Sequence, residues 1–267
     1  MDRNLHQRLS KEDILSIKKL TDDGKSLRYI SKTLSLGITT VYYQVRKFKP
    51  RRKKDFVVNL PEEKIGELIG AFAGDGSYYY SLNDGKDIKK GGQYKIRYHL
   101  SLKSDKPYAE YLKRLLAKLN LNPHLFVRED NNTIDVAVSS LSYINFIKKY
   151  LKWDKDKTFS VRLKNNLNNY SDNFLTGFAR GLMDTDGFLN PGNVVCACIS
   201  KDLIDNLSGI LKKFDLIITR RVLERGGNRR PLYFVRVRRE SLDKYNKLIG
   251  FSNNYKNKKI KEVLKKT

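Results

Sequence analysis

Residues 177–189, GFARGLMDTDGFL, read as a helix that ends on a carboxylate and turns straight into a strand. Glycines 177 and 181 lie in its interior, where each costs roughly 1 kcal/mol against alanine. Asp184 and Asp186 sit at its C-terminal end, where the helix dipole disfavours negative charge. An upstream stretch repeats the pattern. IGELIGAFAGDGS (65–77) aligns without gaps onto TGFARGLMDTDGF (176–188), pairing Gly66 with Gly177, Gly70 with Gly181, Asp75 with Asp186 and Gly76 with Gly187, at an offset of 186 − 75 = 111.

The same order of elements follows each copy. In the first half, strands are expected near 77–82, 93–103, 123–129 and 132–139, with helices near 105–120 and 141–151. In the second, strands are expected near 187–190, 193–200, 216–225 and 231–238, with helices near 202–214 and 240–250. The fold class is therefore α+β, two copies of one αββαββα unit. Helices with small residues every fourth position can pack backbone to backbone, so Gly66, Gly70 and Gly74 are expected to face Gly177, Gly181 and Thr185. That packing sets Asp75 and Asp186 side by side near a pseudo-two-fold axis, each facing a negative helix end and the other carboxylate. A hard divalent cation with few protein ligands resolves the conflict. In a basic protein such a pair suits phosphodiester hydrolysis, where a metal activates water and stabilises the leaving oxygen.

LIGAFAGDG (68–76) and ARGLMDTDG (179–187) resemble the two motifs of the LAGLIDADG homing endonucleases, and the repeat covers essentially all of 57–250. The resemblance implies a monomer of two pseudo-symmetric halves whose sheets form a saddle on double-stranded DNA. It makes Asp75 and Asp186 the catalytic acids and, with Gly74 and Thr185, the ligands of Mg²⁺, for which Mn²⁺ can substitute. Ala73 stands where the first motif often has an acid; Asp184 fills that place in the second and is read as a solvated helix-end residue.

QYKIRYHLSLK (93–103) alternates along its length, with Gln93, Lys95, Arg97, His99, Ser101 and Lys103 on one face, able to reach base edges and phosphates. Lys103 ends this row where related enzymes carry an active-site basic residue, and is the candidate for transition-state charge stabilisation or water activation. Lys201 falls at a comparable strand end in the second half. Arg220, Arg221, Arg225, Arg229 and Arg230 surround the hairpin at ERGGNRRP, followed by Arg236, Arg238 and Arg239; of these Arg221, Arg225, Arg236 and Arg238 are taken as DNA-facing.

The first 48 residues form a separate unit. Ser10 can cap a helix to about Asp23, ended by Gly24; SLRYISKTL offers a second; SLG turns the chain; ITTVYYQVRKF is a third, burying Ile38, Val41, Val45 and Phe48. This is the helix-turn-helix pattern, and LSLGITTVYY resembles that of DNA invertases and resolvases. Thr39, Thr40, Tyr43, Gln44, Arg46 and Lys47 would face DNA, and Arg51 and Arg52, in the basic linker 49–56, would follow its backbone. The remaining boundaries are 57–152 for the first half, 153–171 for a linker, 172–252 for the second half and 253–267 for a basic tail. The insert NDGKDIKKGG (83–92) reads as a loop that orders on DNA.

Composition agrees with a polyanion partner. The 267 residues carry a net charge of +25, from 54 Lys+Arg against 29 Asp+Glu, and 16 Tyr with 12 Phe place that charge on a folded body. No run approaches the roughly 18 apolar residues of a membrane span, and no signal peptide is visible, so an intracellular, cytoplasmic or organellar, protein is expected. Cys196 and Cys198 would share one strand face as packing residues, and His6, His99 and His124 are scattered, so no histidine-based metal site is expected. Two other functions fit the same scaffold: a DNA-binding regulator that has lost cleavage, and a maturase acting on intron RNA.

Overall fold

The computed structural model describes residues 9–49, 56–81, 93–190, 192–227 and 229–265. The chain divides into two compact units, Met1–Lys54 and Asp55–Thr267. Arg51 and Arg52 and the insert 83–92 lie outside the described residues, as does the side chain of Gln93.

The first unit is three helices, α1 (Lys11–Asp22), α2 (Leu27–Thr33) and α3 (Ile38–Phe48), around Ile17, Ile30 and Val41. Ser10 and Asp13 cap α1 reciprocally: the Ser10 hydroxyl accepts from the Asp13 N–H at 3.0 Å and the Asp13 carboxylate accepts from the Ser10 N–H at 3.2 Å. Gly24 follows with φ +74° and ends the helix. The phase of α3 differs from expectation. Gln44 is buried beside Val41, whereas Ile38 is 45 % exposed. Gln44 continues the stripe one turn beyond Val41, so Gln44 is withdrawn from the DNA-facing set. Thr39, Thr40, Tyr43 and Lys47 are exposed, and Arg46, half-buried, donates to the Tyr42 hydroxyl at 3.0 Å.

The second unit holds the repeat. Its first half runs α4 (Glu62–Asp75), β1 (Gly76–Ser81), β2 (Gln93–Ser101), α5 (Leu102–Lys118), β3 (His124–Arg128), β4 (Thr133–Val138) and α6 (Leu141–Tyr150). A short crossing follows, β5 (Leu151–Lys152), α7 (Lys157–Ser160) and β6 (Arg162–Leu163), with β5 and β6 paired antiparallel. The second half runs α8 (Asp172–Asp186), β7 (Gly187–Asn190), β8 (Asn193–Cys198), α9 (Lys201–Lys213), β9 (Ile218–Leu223), β10 (Leu232–Val237) and α10 (Leu242–Leu248). The tail is helical, α11 (Asn254–Lys265). The sheets are antiparallel with equivalent orders, β1-β2-β4-β3 and β7-β8-β10-β9.

One face of each sheet packs on the helices. Ile96, Tyr98 and Leu100 of β2, with Val194 and Cys196 of β8, join a single core shared by both halves. The opposite face carries the expected polar row of β2, Lys95, Arg97, His99 and Ser101. Ala137 and Val195 are buried too, yet stand outside that core, on the face turned away from the helices.

At the centre α4 packs along α8. A Cβ at Gly66 would strike the Phe174 carbonyl, one at Gly70 the Phe178 carbonyl, one at Gly177 the Glu63 carbonyl and one at Gly181 the Glu67 carbonyl. Each helical glycine thus meets the partner's main chain, and Gly74 meets the Thr185 side chain. The pairing is staggered, with glycines lying against carbonyls of larger residues. Backbone packing of this kind offsets the helix-propensity cost of glycine.

Candidate active site

Helices α4 and α8 both end on their aspartate, and the chain passes directly into β1 and β7 through Gly76 and Gly187. Glycine is required there: a Cβ at Gly76 would collide with Phe72, and one at Gly187 would come within 2.9 Å of the Met183 Cα. The Asp186 Oδ1 lies 2.9 Å from where a Gly74 Cβ would stand, so the second acid is seated against the end of the first helix.

Burial pushes the Asp75 carboxyl up to about 7, helped by the neighbouring Asp186 charge and offset by Lys256 and Lys157. Burial likewise pushes Asp186 up to about 6, again offset by the two lysines. Two partly buried carboxylates at two negative helix ends therefore need cations.

The chain supplies two, and neither was expected from the sequence. Lys157 Nζ, at the start of α7, donates to the carbonyls of Ala73 at 2.7 Å and Gly74 at 3.1 Å. Lys256 Nζ, in α11, donates to the carbonyls of Met183 at 3.0 Å, Asp184 at 2.6 Å and Thr185 at 3.0 Å. Each lysine closes the C-terminal end of its own half's motif helix, supplying donors to otherwise orphaned carbonyls and positive charge to the dipole. The carbonyls of Gly74 and Thr185, expected as metal ligands beside Asp75 and Asp186, each accept from one of these lysines, and each carbonyl has a second lone pair.

A sequence signal for this pair existed beyond the first motif. The offset between halves falls from 111 once the longer β1–β2 connection of the first half is passed: Asp135 and Phe234 hold equivalent register positions, and 234 − 135 = 99. Lys157 and Lys256 keep that relation, 256 − 157 = 99.

The expected lysines stand elsewhere. The chain turns into α5 at Leu102, so Lys103 lies in a helical first turn, exposed, its N–H donating to Asn132 Oδ1 at 3.1 Å. Lys201 opens α9 and pairs with Asp205 at 2.7 Å. Neither continues its strand, because residues 102 and 201 each begin a helix.

Asp184 is also corrected. It is buried, and its carboxylate accepts from the N–H groups of Ser252 at 3.1 Å and Asn253 at 3.0 Å. Burial pushes it up to about 8, against those two hydrogen bonds. Its role is to dock the segment that carries Lys256, and Asn253 continues inward to Asp105 at 2.7 Å. The tail boundary at 253 therefore cuts through the site.

Among the sheet residues, His99 does not project freely: Nδ1 is 2.8 Å from Asp135 Oδ1 and Nε2 is 2.7 Å from Ser77 Oγ. Arg128 Nη2 reaches the same carboxylate at 3.0 Å, and Arg97 lies 3.9 Å from it. Ser101 accepts from Asn132 at 3.3 Å. Arg221 and Arg236 share the outward face of the second sheet, whereas Arg225 follows β9 and donates to the Arg230 carbonyl at 2.8 Å, and Arg238 follows β10 beside Glu240 at 3.4 Å.

A pair of carboxylates suits a hard cation that takes its other oxygen ligands from water or phosphate. Among the described residues no cluster of three or more His, Cys, Asp or Glu is present.

The titration of the pair has a testable consequence. Both folded pKa values lie above the ordinary carboxylate value, so their contribution to stability is present below about pH 4 and is lost as pH rises through 6–7. Without divalent ions the melting temperature should fall across that window. Added divalent cation should restore it, with a benefit that grows with pH as protons leave the ligands. A metal benefit independent of pH would contradict the assignment. Lys256→Met should cost on the order of 3 kcal/mol by orphaning buried carbonyls, and should move the metal-free transition to higher pH. An unchanged transition would remove Lys256 from the site.

A family model described as LAGLIDADG-like domain matches residues 173–250. The uncharacterized protein MJ0398 of Methanocaldococcus jannaschii is 25 % identical over 282 residues, covering 96 % of each chain. The replication factor C small subunit of the same organism is 26 % identical over 204 residues, covering 76 % of this chain but 10 % of that protein. Among solved structures, the homing endonuclease I-DmoI in complex with DNA and Ca superposes with a TM-score of 0.57 at 13 % identity, covering 75 % of this chain and 98 % of that one. I-DmoI with DNA and Mn gives 0.53 at 15 % identity, covering 71 % and 97 %. The fold is thus the two-half LAGLIDADG fold. No helix among the described residues is long and apolar enough to cross a membrane.

Proposed function

We propose that the protein is a site-specific endonuclease that cuts double-stranded DNA as a monomer, with Asp75 and Asp186 each serving one strand. The observation that carries this reading is the centre itself: two partly buried aspartates, one per half, each at a helix end held by a lysine, Lys157 half-buried and Lys256 buried. A bound divalent cation, Mg²⁺ or Mn²⁺, would supply positive charge to the scissile phosphate. The chain's own groups hold and neutralise that centre. Lys157 commits two of its three donors to Ala73 and Gly74, whereas Lys256 commits all three to carbonyls. Lys256 is therefore a positioning residue, and Lys157, with two acceptors among the described residues, has a third donor for substrate.

The three-helix unit serves as an added DNA-reading head, with Thr39, Thr40 and Tyr43 of α3 toward bases and Arg46 and Lys47 toward phosphates. Replacing Arg46 and Lys47 by glutamine should lower the slope of log affinity against log salt by about 0.9 for each phosphate no longer neutralised. An unchanged slope would place these residues off the DNA. The homing reading draws support from the replication factor of M. jannaschii, in which the similar stretch is a tenth of a far longer chain.

The test is incubation of the full chain with plasmids carrying a genomic library, in Mg²⁺ or Mn²⁺. Linear product from a discrete site, blocked by chelator, is expected. Tight duplex binding without nicking under either ion would replace the nuclease with a regulator.

A further inference from the structure

The two halves are equivalent in backbone but not in the chemistry of their outward sheet faces. The antiparallel registers place Gly76 opposite Tyr98 and Gly187 opposite Cys196, so His99 corresponds to Ala197, Ser77 to Phe188 and Asp135 to Phe234. In the first half these three positions form the hydrogen-bonded row Ser77–His99–Asp135, flanked by Arg97 and Arg128. Phe126, an exposed apolar side chain of that face, lies under the Lys95 ammonium, 5.5 Å from its ring centre.

In the second half the same positions are apolar. Phe188 and Leu223, each 39 % exposed, stand with Phe234 and Val195 around a hollow of about 400 Å³ that Asn190, Thr219, Arg221 and Arg236 also line. Val195 is buried beneath it although it is outside the core. A hollow with an apolar cluster, Phe188, Val195, Leu223 and Phe234, beside an amide, a hydroxyl and two guanidinium groups fits a polyanion that presents an apolar edge among polar ones. The major groove has one such group, the C5-methyl of thymine.

Resting on the double-stranded DNA reading above, we propose that this hollow recognises thymine methyl groups, so that the protein reads its two half-sites by different chemistry: methyl contacts in the second half, hydrogen bonds in the first. The arginines flank the hollow where phosphates or neighbouring guanines lie, and they orient the duplex while the aromatic floor discriminates.

The test uses the full chain in Ca²⁺ and duplexes enriched from a random-sequence library. Thymines of one half-site at a time are replaced by deoxyuridine, which removes the methyl and keeps base pairing. Replacement in one half-site should weaken binding about fourfold per methyl read, from the transfer free energy of one buried carbon, and leave binding unchanged in the other. Phe188→Ala and Leu223→Ala, at part-exposed positions, should each remove the penalty in that half-site. Equal effects in both half-sites, no effect in either, a selected sequence without thymine in either half-site, or a penalty that survives Phe188→Ala would overturn the proposal. Failure to enrich any duplex would instead overturn the DNA-cutting reading on which it rests.

Discussion

Asp75→Asn and Asp186→Asn should each lower the rate of plasmid linearisation by a thousandfold or more, on the order of 4 kcal/mol of transition-state stabilisation, while duplex binding in Ca²⁺ survives. The size follows from the arrangement. Each substitution removes one of the two anionic oxygen donors at the centre, and two lysine cations remain beside a single carboxylate. Because the acids belong to different halves, a residual nicking activity in one variant should fall on one strand, and the other variant's on the opposite strand. Parent-like cleavage by either variant would refute the catalytic assignment. Nicking of the same strand by both would refute the division of labour between halves.

Gly181→Val should unfold the second unit at ordinary temperature. Any Cβ at residue 181 overlaps the Glu67 carbonyl, and the Ala71 N–H lies 2.7 Å from the same point, so two branched methyls have no path of relief except separation of α4 from α8. Main chain cannot rotate away as a side chain can. A cost of about 5 kcal/mol consumes most of a typical domain's stability. Gly24→Ala, at a turn with open space around it, should by contrast cost only the strain of a positive φ. Chemical denaturation compares the two directly; equal midpoints would contradict close helix packing as the source of the fold's stability.

The architecture is legible in the sequence because its signal is local and repeated. Helical spacing of Gly66, Gly70, Gly177 and Gly181, with an aspartate at each end, survives without gaps across 111 residues. What surrounds those acids is less legible, for reasons visible in individual residues. Lys157 and Lys256 follow their motifs by different lengths, since the first half has the longer β1–β2 connection, and each looks like one lysine in a basic run. Asp184 reads as solvated because helix ends usually are; Ser252 and Asn253 return from a distant segment to cover it. Lys103 extends a perfect alternation by one step, but its backbone N–H already belongs to a helix start. In α3, a polar residue one turn from Val41 falls inside the apolar stripe. Local periodicity assigns elements well, whereas neutralising partners of buried charge come from chain segments whose return path no local pattern encodes.

The most direct test of the shared centre is divalent-ion binding by the intact protein, read as the decrease of free Mn²⁺ signal in electron paramagnetic resonance at about pH 8, above the raised pKa values of the pair. The parent should bind Mn²⁺, and Asp75→Asn and Asp186→Asn should each weaken binding by tenfold or more, with the double variant little worse than either single one. Full retention of binding after removal of either carboxylate would show that the two halves do not join their acids at one metal centre.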